Sequence, residues 1–243
     1  MKTNTLKSRA VTATLSALFI CSTMTTALAA SEVTPGVFPQ NAKPYGKTYG
    51  EWIQEFHRFL FSIPLDQNPF FGNDPGLALV GQSGHVSFIL HSPDDPGGGE
   101  FNVTIPAGNG LFIPLALAGD GTCPGDPDYQ PPPGQTREQL LIEVLDFFMD
   151  LVTVLTVEID GVPVENPFQY RATSGLYTFD ADPSYAPIFA PCGTAAGEHV
   201  DAADGYWVML APLSKGQHTV HWVLTLGPPV NFSGEGIYHI TVE

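Results

Sequence analysis

Tyr206-Trp207-Val208-Met209-Leu210, then Ala211-Pro212-Leu213-Ser214-Lys215-Gly216, then His218-Thr219-Val220-His221-Trp222-Val223-Leu224-Thr225-Leu226 read as strand, turn, strand. Aromatic and β-branched residues fill both runs, and Pro and Gly punctuate the join. The same grammar extends outward. Ile237 to Val242 is a further strand, and Val154 to Ile159 runs into Asp160-Gly161, a strong hairpin signal, with Val162-Pro163-Val164 starting back. Earlier, Val80 to Leu90, Phe101 to Ile105 and Leu111 to Leu117 read as strands, separated by the turn-rich Ser92 to Gly99 and by Pro106-Ala107-Gly108.

Two segments break the pattern. Between Tyr49 and Leu60, Trp52, Phe56 and Phe59 share one face at helical spacing with Ile53 and Leu60 beside them, and Pro64 ends the run. Thr136 and Gln139 have capping-box spacing before a stripe of Leu140, Leu141, Val144, Phe147 and Phe148. The fold class expected is all-β or β-rich α+β: a single β-sandwich or jelly-roll-like domain with two short amphipathic helices.

Residues 1–30 have the form of a signal peptide. Lys2, Lys7 and Arg9 lead, an apolar run from Ala10 to Ile20 follows, and Ala27-Leu28-Ala29 supplies the small-x-small cleavage pattern. The run is too short to span a bilayer, and no second run of membrane length follows. The expected product is one exported domain, residues 31–243, periplasmic or extracellular. The leader holds three of the nine basic residues and none of the 25 acidic ones, so residues 31–243 carry six against 25, a formal charge of −19. Such a field repels nucleic acid and anionic membrane surfaces. Cys21 leaves with the leader. Cys123 and Cys192 remain, an even pair for an oxidising compartment, and a disulfide between them would close a loop of about 70 residues, worth about 4 kcal/mol by loop entropy.

Tyr49-Gly50-Glu51-Trp52, Ser62-Ile63-Pro64, Gly81-Gln82-Ser83-Gly84, Ile105-Pro106-Ala107-Gly108, Asp204-Gly205-Tyr206-Trp207-Val208-Met209-Leu210, Gly216-Gln217-His218-Thr219-Val220-His221 and Tyr238-His239-Ile240-Thr241-Val242, in this order, resemble a family of uncharacterised secreted bacterial proteins. The likeness runs over nearly all of residues 31–243. The chain departs from the family at Asn109, where a lysine is usual, and at Phe56, His57 and Phe59, where tryptophans are common. The resemblance implies export and one compact domain, and it carries no reaction.

Each linear catalytic motif lacks a part. Gly81-Gln82-Ser83-Gly84-His85 has His where a nucleophile elbow needs Gly, and a strand follows instead of a helix. The Pro-Ala-Gly turn is followed by Asn109-Gly110-Leu111-Phe112, without the histidine a metal cupin places there. Glu51 and Glu55 lie one helical turn apart and could face a common cleft, as glycosidase chemistry requires, yet Arg58 is set for an ordinary ion pair with Glu55. His218 and His221, three apart in a strand, point to opposite faces. His85, His221 and His239 are the more sensible transition-metal trio. Asp94 and Asp95, Asp120, Asp126 and Asp128, and Asp201 and Asp204 read as loop carboxylates that could take Ca²⁺.

The expected function is a non-catalytic binding module for a glycan, small molecule or envelope component, with Glu51, Trp52, Tyr206 and Trp207 as the candidate binding residues. The alternative is a metal-dependent secreted enzyme built on the histidine trio. Alternation along the strand turns only one of Tyr206 and Trp207 outward, so the other is expected in the core.

Overall fold

The strand-rich pattern resolves, in a computed structural model, into two five-stranded sheets packed as a sandwich. The structure describes residues 36–71, 82, 84–89, 99–121, 130–193 and 198–243. The leader, Cys123, Asp94, Asp95, Asp126 and Asp128 lie outside the described residues, as does the side chain of Asp120. Cys192 closes a 3₁₀ turn, Ala190–Cys192.

The first sheet contains β1 (Val86–Phe88), β3 (Gly110–Gly121), β8 (Glu198–Leu210), β6 (Arg171–Thr173) and β7 (Tyr177–Asp180), in the order β1-β3-β8-β6, with β7 also on β8. The second runs β2 (Glu100–Ile105), β10 (Phe232–Val242), β9 (Gly216–Leu226), β4 (Val152–Ile159) and β5 (Val162–Pro163). The pairs β1–β3 and β2–β10 are parallel, and the rest are antiparallel. The Asp160-Gly161 hairpin forms as expected, with Asp160 and Gly161 at φ of 52° and 74°, the left-handed region that such a turn requires.

Burial distinguishes the sheets. In β10, Tyr238, Ile240 and Val242 point inward and alternate with Ile237, His239 and Thr241, so the second sheet has one wet face. Residues 201–210 of β8 are buried without alternation, because the first sheet is covered on both faces. One face meets the second sheet, where Ile113 and Val208 share a core with Val220, Trp222 and Ile240. The other carries α1 (Tyr49–Ser62), whose Tyr49 and Phe56 rings meet Phe112 and Trp207 at 5.8 and 5.1 Å between centroids. Phe112 and Trp207 stack at 4.9 Å. This double cover corrects the expectation of an outward ring: Tyr206 is 6% and Trp207 0% exposed, and both belong to the core.

The second helix, α2 (Arg137–Asp150), has the expected Thr136–Gln139 capping box, but its buried stripe differs from the one expected. Leu141, Leu145 and Met149, at i, i+4 and i+8, are the buried residues, and the first two pack with Ala202. Phe147 and Phe148 stay outside. A short third helix, α3 (Ala186–Phe189), precedes β8. Asp201 and Asp204 are not loop carboxylates. Both are buried in β8, Asp201 taking the Tyr177 hydroxyl at 3.1 Å and Asp204 the Arg171 guanidinium at 2.6 Å. No helix among the described residues is long and apolar enough to cross a membrane.

Candidate functional site

The chain builds a polar cleft where the first turn of α1 meets the end of β6, the edge of the first sheet. Thr48 caps the helix. Its Oγ1 accepts from the Glu51 amide at 3.2 Å, and the Glu51 Oε2 accepts from the Thr48 amide at 2.7 Å and from the Thr48 hydroxyl at 2.9 Å. These bonds hold the Glu51 carboxyl below its usual range, the Thr48 backbone first, with Lys43 and Lys47 adding a smaller pull. The Glu51 side chain is thereby fixed as an anion at the rim, with Oε1 outside the capping bonds.

Gly50 decides how close the helix can come. A Cβ there would lie 2.5 Å from the Thr173 carbonyl oxygen, so only glycine lets this turn seat against β6. The floor is tied by hydrogen bonds. Gln54 donates to the Ser174 carbonyl at 2.9 Å, the Ser174 hydroxyl accepts from the Ala203 amide at 2.8 Å, and Gln40 donates to the Arg171 carbonyl at 3.3 Å. The resulting cleft is about 410 Å³ and is lined by Gln40, Asn41, Thr48, Glu51, Thr173 and Ser174, among others. Beside Ala42 and Ala172, its polar groups are amides, hydroxyls and one carboxylate, a set that exchanges hydrogen bonds with a neutral polar ligand.

Of the four expected binding residues, only Glu51 lines this cleft. Trp52 lies one position on and turns away. Its Nε1 donates to the Pro44 carbonyl at 2.9 Å, its ring meets Tyr45 and Phe88 edge-on, and Lys47 sits 5.2 Å above it. Glu55 pairs with Lys47 at 2.8 Å and with Arg58 at 3.4 Å, so the two α1 glutamates do not form a catalytic pair. The Thr48-x-x-Glu51 spacing is the sequence signal that marks the rim. Thr173 and Ser174 carry no such signal, because strand pairing alone brings them to the helix.

The histidine trio does not assemble. His221 and His239 share the wet face of the second sheet, but each holds its own carboxylate: His221 Nε2 lies 2.8 Å from Glu235, and His239 Nε2 lies 3.1 Å from Glu100. His85 precedes β1 in the other sheet, with its carbonyl accepting the Gly110 amide. No group of three histidine, cysteine or acidic side chains among the described residues could hold a metal ion. His218 does turn away from His221. It bonds Asp160 at 2.7 Å and the Ser214 carbonyl at 2.9 Å, and Asp160 raises its pKa.

Fold and site together define a two-sheet β protein with a polar cleft at a capped helix. No family model and no curated protein matches the chain. Among solved structures it is similar to PbICP-C in complex with falcipain-2 (9% identity, 66% of this chain and 100% of that one, TM-score 0.25). It is also similar to the cysteine protease inhibitor EhICP2 from Entamoeba histolytica (10% identity, 65% and 95% of the two chains, TM-score 0.21) and to Amebosin (11% identity, 66% and 100%, TM-score 0.20). At these identities and scores the likeness says nothing about a ligand.

Proposed function

We propose that the chain is an exported, non-catalytic binding protein that takes a small neutral, polyhydroxylated ligand, such as a sugar or the end of a glycan, in the α1–β6 cleft. The observation that carries this reading is the cleft's lining: Gln40, Asn41, Thr173 and the free oxygen of Glu51 surround about 410 Å³, within the size range of small-molecule sites. Planar amides and a carboxylate can each engage neighbouring hydroxyls through paired hydrogen bonds. The strong negative charge of the chain, −16 overall, disfavours polyanions. Residues 31–243 are, in this reading, the mature domain, with Cys123 and Cys192 bridged; alkylation of the unreduced exported protein should leave its mass unchanged, and two alkyl groups added would overturn the bridge.

The test is calorimetric titration with a panel of neutral mono- and disaccharides. Glu51→Gln keeps an oxygen for the capping box and removes the charge. Since hydrogen bonds to charged groups contribute about 1.5–3 kcal/mol, this variant should bind a panel member about tenfold or more weakly, with its melting temperature only slightly lowered by the weaker cap. Failure of the whole panel to bind, or equal binding by the variant, would overturn the reading.

A further inference from the structure

A slot of about 500 Å³ is lined from both β1 and β2, the strands that end the two sheets. Gln82, Val86, Ser87, Ile105, Pro106 and Asn109 are among its walls. The Gly110 amide donates to the His85 carbonyl at 2.8 Å in the parallel register Val86–Gly110, so alternation turns the N–H and C=O of Val86 and Phe88 away from β3. At Phe88 both groups are already taken. The Gln82 carboxamide accepts from the Phe88 amide at 2.6 Å and donates to the Phe88 carbonyl at 2.8 Å, closing the edge as a strand would. One strand repeat earlier, the same pair on Val86 meets no partner among the described residues, although Val86 is only 5% exposed. Backbone groups so buried are costly until something bonds them.

A side-chain pair stands beside them. Phe88 packs on the α1 rings Trp52 and Phe56, so alternation points Ser87 toward the second sheet. Ser87 is 2% exposed, and its hydroxyl accepts from the Asn109 carboxamide at 3.2 Å. The hydroxyl proton and Asn109 Oδ1 have no partner among the described residues. The turn from Pro106 to Asn109 holds the carboxamide in place, with Gly108 at φ of 89° and the Asn109 amide on the Pro106 carbonyl.

We propose that the slot is a second ligand site, one that takes a short extended peptide. Gln82 displays the chemistry this edge accepts, an amide set against a backbone N–H and C=O. A peptide residue lying antiparallel to β1 exchanges the same two bonds with Val86. The residues flanking it then point, as Ser87 does, toward the second sheet. An asparagine there gives its carboxamide to the Ser87 hydroxyl and Asn109 Oδ1, between the apolar walls of Ile105 and Pro106. The α1–β6 cleft lies at the opposite end of the first sheet, and the proposal stands independently of the ligand assigned there.

The experiment titrates the isotope-labelled chain and follows its amide NMR signals. The probes are acetyl-Asn-Val-Asn-amide, the same peptide N-methylated at valine, and a version with leucine for both asparagines. The first should shift the Val86 and Ser87 signals and slow hydrogen exchange at Val86. N-methylation removes the donor to the Val86 carbonyl and should weaken binding about tenfold. Ser87→Ala should lose about threefold to tenfold of the affinity, as one neutral hydrogen bond is worth, and with it the preference for asparagine over leucine. Equal binding of the N-methylated peptide would overturn the proposal. So would an unmoved Val86 signal with all three peptides, including the case where shifts are confined to Glu51 and Thr173 and the peptide belongs to the other cleft.

Discussion

Arg171→Met is expected to cost about 3–5 kcal/mol of stability, the range for removing one partner of a buried ion pair. The reason lies with the residue left behind. Asp204 is 1% exposed and takes three bonds from Arg171, two from Nε at 3.0 and 3.3 Å and one from Nη2 at 2.6 Å, besides one from the Gly205 amide at 2.7 Å. Burial raises the Asp204 pKa despite that guanidinium, which shows how poorly this position tolerates an uncompensated charge. Arg171 also reaches Asp146 and Asp150 on α2, tying the helix to the first sheet. Those two carboxylates are exposed, so Asp146→Asn should cost less than about 1 kcal/mol. Urea denaturation of both variants checks the contrast, and the double variant Arg171→Met, Asp204→Leu should recover much of the loss. A loss below that of Asp146→Asn in Arg171→Met would refute the account.

Acid is expected to destabilise the chain through His57. The ring is buried on α1 between Trp207 and Tyr177, stacked on the latter at 5.9 Å, with Nδ1 bonded to the Ile53 carbonyl at 3.0 Å. Its Nε2 faces Gly119, where even a methyl group would come within 3.3 Å. Burial holds its pKa down, to about 4 from 6.5. The unfolded chain therefore takes up this proton near pH 6.5, and the folded chain only near 4. The stabilising difference is complete above pH 6.5 and is lost as pH falls towards 4, reaching about 3 kcal/mol at 1.36 kcal/mol per pH unit. His218 acts in the opposite sense. Its raised pKa contributes stability that is full below the unfolded value and is lost as pH rises through the folded one. Comparing His57→Gln with the unmodified chain from pH 7.5 to 4 isolates the first effect. Parallel stability curves would sink it.

Much of the fold is legible in the residue order, and the reasons are local. The Asp160-Gly161 turn specifies its own backbone, the alternation of β10 declares one wet face, and Thr136 with Gln139 marks a helix start. What was not legible depends on the third layer. Nothing in Tyr206-Trp207 says that α1 will cover the far face of the sheet, so an outward ring was the natural expectation. In α2 the apolar residues outnumber those one face can bury, and periodicity alone could not choose Leu145 and Met149 over Phe147 and Phe148. Half of the cleft was within reach, through Thr48 and Glu51. Thr173 and Ser174 were not, since their place is set by pairing with β8, through Thr173 opposite Asp204 and the Ser174 amide bonded to the Ala203 carbonyl.

The position of β10 bears on when this chain can fold. It lies between β2 and β9, in parallel register with β2 from Ile237–Glu100 to Val242–Ile105, so all of β3 to β9 intervene in the chain between these two neighbours. Until residues 232–242 are available, β2 has no neighbour among the described strands and the inward side chains Phe101, Val103 and Ile105 have no completed core to enter. Closing so long a loop is a late and slow event. The antiparallel pairs β9–β4 and β4–β5 can form without β10, but the second sheet is complete only once β10 is in place, and until then β2 is an unpaired strand that invites aggregation.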